Sequence, residues 1–78
     1  MTRQALLSWV FEALRPTFEV PTEATFDDVP TDHPSFVVVE WTAAVGLLSG
    51  YGDGTFRPDS GLPYRTAAAV LTKARMLA

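Results

Sequence analysis

From Gly50 to Leu62 the chain reads Gly-Tyr-Gly-Asp-Gly-Thr-Phe-Arg-Pro-Asp-Ser-Gly-Leu, a run with four glycines and a proline. Glycine loses more freedom than any other residue on entering a regular element, and proline supplies no backbone donor. No helix or long strand crosses such a run. It predicts a tight, aromatic-studded loop or small hairpin.

The segments on either side carry helical periodicity. Between residues 2 and 15, Leu6, Leu7, Trp9, Val10, Ala13 and Leu14 fall on one broad stripe, while Arg3, Gln4, Ser8 and Glu12 fall elsewhere. Thr2 suits the N-cap, and Pro16 drives Arg15 out of the helical region, which ends the helix there. Residues 17 to 32 include Pro21 and Pro30 with spaced apolar points at Phe18, Val20, Phe26 and Val29, the pattern of an ordered connector that packs along helices. The valine run Val37-Val38-Val39 favours a strand locally. The longer repeat of Phe36, Val39, Ala43 and Leu47 predicts instead a helix over 33–49, capped by Asp32, with Pro34 in its first turn and Gly50 as its stop. A last helix is predicted from Tyr64 to about Leu77, opened by Pro63, with Ala67, Ala68, Val70, Leu71 and Ala74 apolar and Lys73 and Arg75 near its C-terminus. Trp9 and Trp41 both lie on stripes and are expected in the core.

Composition narrows the function classes. Seventy-eight residues make one domain, and with 47% apolar and 19% charged residues the chain should pack as a globule. Without cysteine there is no disulfide, thiolate–zinc site or cysteine nucleophile. A net charge of −3 and a pI near 4.8 provide no basic field for a nucleic-acid backbone. The N-terminus has no secretion-signal pattern and no stretch is long enough to span a membrane, so an export signal would lie outside this chain. His33 has no serine, cysteine or paired carboxylate beside it, which argues for a helix-start residue and against an enzyme. Asp53-Gly54 and Asp59 lack the alternating oxygen ligands and terminal glutamate of a calcium loop, so no metal and no cofactor are expected.

The segments Phe26-Asp27-Asp28-Val29-Pro30, Asp32-His33 and Val45-Gly46-Leu47-Leu48-Ser49-Gly50-Tyr51-Gly52-Asp53-Gly54-Thr55-Phe56-Arg57-Pro58-Asp59 resemble, in order and spacing, an S-layer homology repeat. Thr2-Arg3-Gln4-Ala5 with the apolar residues after it resembles the closing helix of a preceding repeat. The resemblance implies residues 1–16 as that closing helix, 17–25 as a connector and 26–78 as a complete repeat. It implies an all-α fold, a small bundle of three main helices with a glycine-rich prong loop.

The implied function is non-catalytic anchoring at the bacterial cell wall, outside the cell, by grooves that bind a secondary cell-wall polysaccharide with an acidic, pyruvylated sugar. A structural or self-assembling unit that keeps the fold without the ligand is the alternative, with self-association or neighbouring repeats as partners. The implied ligand-binding residues are Arg3, Gly52, Asp53, Gly54, Arg57 and Arg65. Arginine offers a planar fork to a carboxylate, and glycines let backbone N–H groups approach a ligand. Tyr51 and Phe56 suit either stacking on a sugar or packing the loop. Asp53 could instead hold its own turn, and Arg57 could pair with Asp53 or Asp59. Three departures from the family pattern stand out: Pro34 replaces an aromatic after His33, Ala5 and Thr66 replace the motif glutamate, and Arg65 comes one residue late.

Overall fold

The structure, a computed structural model, describes residues 2–77. Met1 and Ala78, the outer ends of the expected 1–16 and 26–78 segments, lie outside the described residues. Three α-helices account for the regular structure: α1 (Arg3–Leu14), α2 (Phe36–Val45) and α3 (Tyr64–Leu77). Among the described residues there is no strand, only an isolated antiparallel bridge between Thr2 and Gly61. The architecture is all-α, as expected.

Helix α1 starts where its cap predicts. The Thr2 hydroxyl accepts the Ala5 N–H at 3.2 Å. The two N–H groups before it, orphaned in any helix, donate to the loop: Arg3 to the Ser60 carbonyl at 2.9 Å and Gln4 to the Pro58 carbonyl at 2.8 Å. At the other end Arg15 turns left-handed (φ 46) and its N–H closes on the Phe11 carbonyl, just before Pro16.

Helix α2 is shorter than the 33–49 expectation at both ends. Asp32 and Pro34 lie in turns before it, because the Ser35 N–H donates to His33 Nδ1 and the Phe36 N–H to the His33 carbonyl, which delays the first helical turn to Phe36. At the C-terminus Gly46 pre-empts Gly50. It adopts φ 79, and both its N–H and that of Leu47 donate to the Thr42 carbonyl. Only a residue without a Cβ enters this left-handed cap at little cost, and the turn sends Leu47 back into the core. Helix α3 matches its expected span, with the Pro63 carbonyl accepting the Ala67 N–H.

Helix α1 is the one on which the other two pack; α2 and α3 do not meet. The core joins Leu6, Leu7 and Val10 of α1 with Phe36, Val39 and Trp41 of α2, Val70 and Ala74 of α3, and Phe26, Val29, Leu47 and Phe56 from between the helices. Phe11 meets Trp41 edge to face at 5.3 Å. Trp41 is buried as expected (3% exposed), but Trp9 is 61% exposed, which corrects its core assignment. The α1 stripe is wider than the face it buries: Leu6, Leu7 and Val10 fill that face, and Trp9 stands at its edge, beside Leu71.

The connector has no regular structure, yet it is tied down. Buried Glu40 of α2 accepts the Thr25 N–H at 2.9 Å and the Thr25 hydroxyl at 2.6 Å.

Candidate ligand-binding loop

The glycine-rich run forms a self-braced turn. The Tyr51 N–H donates to the Thr55 carbonyl at 2.8 Å and the Gly54 N–H to the Tyr51 carbonyl at 3.2 Å, which leaves Gly52 and Asp53 exposed at the tip. Asp53 Oδ1 accepts both the Thr55 N–H (3.1 Å) and the Thr55 hydroxyl (2.6 Å), the turn-holding use expected of an aspartate here. Its Oδ2 pairs with Arg57 Nη2 at 3.0 Å. The Thr55 hydroxyl foremost, then Arg57 and the Thr55 amide, lower the Asp53 pKa to about 2. The carboxylate is therefore ionised at any physiological pH, although an exposed pair of this kind contributes little stability.

A second carboxylate holds the loop from outside. Asp28 Oδ1 accepts the Phe56 N–H at 2.9 Å and Oδ2 the Arg57 N–H at 2.8 Å. Partial desolvation raises the Asp28 pKa, but the Phe56 and Arg57 hydrogen bonds together outweigh it and leave it below the ordinary 3.8. The clamp is needed, because Arg57 sits at φ 57, a strained conformation for a residue with a side chain. Phe56, between the two clamped amides, is wholly buried and tilts against Phe26 at 5.1 Å.

Arg3 enters this loop from α1. It is only 7% exposed, donates from Nη2 to the Ser49 carbonyl at 2.8 Å, and places its guanidinium 4.5 Å from the Phe56 ring centre and 5.0 Å from that of Tyr51. Arg57 stacks over Tyr51 at 4.0 Å, so one tyrosine serves two guanidinium groups. Arg3 Nε is buried without an acceptor, and among the described residues no carboxylate pairs with Arg3. A buried cation in the first turn of a helix works against both desolvation and the helix dipole. The two rings offset part of that cost, about 2 kcal/mol or more for a desolvated pair.

The structure thus brings Arg3, Asp53 and Arg57 together around Tyr51, with Gly52 and Gly54 in the same turn. Arg65 is not joined to them. It is exposed in the first turn of α3, and among the described residues no side-chain hydrogen bond or ion pair links it to the loop. Sequence reasoning assigned no role to Asp28, Gln4 or Glu40. Gln4 donates to Asp59 and accepts from the Ser35 hydroxyl at 2.6 Å, tying α1 to the loop and to the start of α2. These partners are 15 to 55 residues apart, from Thr25–Glu40 to Gln4–Asp59, and no local signal announces them. Among the described residues no cluster of His, Cys, Asp or Glu could hold a metal ion.

The family model of the S-layer homology domain matches residues 25–62. Over these residues the chain is similar to an S-layer homology domain. Comparison with curated proteins and with solved structures gave no match. The matched S-layer homology segment opens at Thr25, the residue held by Glu40, and closes at Leu62, just before α3. It therefore takes in α2, Asp28 and the whole loop, with α1 and α3 flanking it. S-layer homology domains are generally cell-wall anchoring modules, without catalysis, that bind cell-wall polysaccharides at the cell surface. No helix is long and apolar enough to cross a membrane among the described residues.

Proposed function

We propose that this domain anchors its protein to the bacterial cell wall by binding an acidic, pyruvylated secondary cell-wall polysaccharide beside the 50–62 loop, which acts as the prong. Arg3 is the observation that carries the reading. Its guanidinium is nine-tenths buried and pairs with no carboxylate among the described residues, and a sugar carboxylate is the charge that would complement it. Arg57, Asp53 and the glycine backbone at the tip add exposed donors and acceptors for sugar hydroxyls, and Arg65, exposed at the start of α3, is proposed as a further contact. In this reading residues 1–16 close a preceding repeat and 26–78 make a full one.

The test is retention of the purified chain by wall sacculi carrying the polymer and by sacculi stripped of it. Retention should require the polymer. Arg3→Ala should weaken it by about tenfold or more, the scale of one lost charge-assisted bond, and Arg3→Lys by less. Arg57→Ala, at an exposed site, gives the same readout without disturbing the core. Equal retention by both kinds of sacculi overturns the proposal.

A second reading, assembly through self-association, is favoured by one feature. Trp9, Val10, Ala13, Leu14, Leu71 and Ala74 line an almost wholly apolar groove of about 360 Å³ between α1 and α3. Sedimentation at micromolar concentration tests it, and a clean monomer rules it out.

A further inference from the structure

A second groove, of about 370 Å³, lies between the turn that ends α2 and helix α3. Buried Phe26 and Leu47, with partly buried Ala43, give it an apolar floor, and exposed Gly46, Ser49 and Lys73 form its rim. Ser49 joins it to the loop, since the carbonyl of the same residue holds Arg3. Lys73 is the cation of this groove. Among the described residues it takes part in no ion pair and no side-chain hydrogen bond. Nor is it consumed in closing α2, whose Thr42 carbonyl already accepts the N–H groups of Gly46 and Leu47. Above Gly46 the groove is open: a Cβ there would meet nothing within 4 Å.

We propose that this groove is a second subsite for the wall polymer, taking an acidic sugar unit next to the one at the loop. Lys73 binds the anionic group, and the apolar floor receives the C–H face of the ring. Charge complementarity selects the occupant: a free ammonium over an apolar floor, beside a buried and unpaired Arg3, suits a polyanion whose rings have both polar and apolar faces. The subsite rests on the wall-polymer reading given above and makes Lys73 a specificity-determining residue.

The experiment compares the full chain with Lys73→Ala and Lys73→Glu on polymer-bearing and polymer-stripped sacculi. Because Lys73 is exposed, both variants should fold as the parent does, which circular dichroism checks. Lys73→Ala should lower affinity for polymer-bearing sacculi roughly tenfold, Lys73→Glu further, and both losses should shrink at high salt. Removing ketal-linked acids from the polymer with mild acid assigns the anion. If the difference between parent and Lys73→Ala vanishes, the partner is a carboxylate; if it persists, the partner is a phosphate of the polymer, and either result upholds the subsite. If both variants bind like the parent while polymer dependence is intact, the subsite is wrong and the anchoring function stands. If the parent is held equally by stripped sacculi, both proposals fall.

Discussion

Asp28 carries a disproportionate share of the loop's order, because its two oxygens accept the amides on either side of the Phe56 side-chain anchor. Its folded-state pKa lies below the unfolded value of 3.8, so its contribution is fully present above that value and is lost as pH falls through the folded pKa. Asp53, held at about 2, titrates in the same direction. Asp28→Asn keeps the shape but offers one acceptor for two amides. It should cost about 1–2 kcal/mol near neutral pH, and the gap between variant and parent should close as the pH falls below 3.8 through the folded-state pKa of Asp28. Thermal melts across that range measure it; a constant gap would mean that Asp28 acts by shape alone. Residue identity alone made the roles of Thr2 and Asp53 legible, since both bond within three residues of themselves. Asp28 was not legible in this way. A carboxylate that reaches across 28 residues has the same sequence signature as one in solvent.

Helix spans followed the same division. Periodicity and Pro16 placed α1, and Pro63 placed α3, whereas α2 was misjudged by several residues at each end because two glycines and a capping aspartate competed with better local partners. Gly46 and Gly50 differ in what they require. Gly46 is in open space and needs its left-handed φ of 79, so Gly46→Ala should cost about 1 kcal/mol. A Cβ on Gly50 would come within 2.9 Å of the Thr55 carbonyl oxygen and press into the Phe26 ring, and backbone cannot move aside as a side chain can. Gly50→Ala should therefore cost more, about 3 kcal/mol. Urea denaturation of the two variants ranks them, and the reverse order would show that the loop base yields where its packing says it should not.

The whole molecule is unevenly finished. α1 and α2 share a filled core, while of the fourteen residues in α3 only Val70 and Ala74 are buried, and Trp9 beside it is left open to solvent. If copies assemble through this face, Trp9 becomes shielded as they do. Tryptophan quenching by acrylamide should then fall with rising protein concentration, and Trp9→Glu should hold the chain monomeric. Concentration-independent quenching would leave anchoring as the sole reading. The wide apolar stripe of α1 was visible in sequence; how much of it the fold covers was not, because that depends on how many neighbours the helix has.

The start of α1 has a mechanical meaning. Thr2 bridges Gly61, and the amides of Arg3 and Gln4 bond to Ser60 and Pro58, so the two ends of the intervening chain are stitched together. Tension entering at Thr2 and leaving through α3 runs across these few short links to the end of the loop and bypasses the body of α1, the connector and α2. Pulled end to end, the domain leaves α2 and the connector unloaded until this stitch tears.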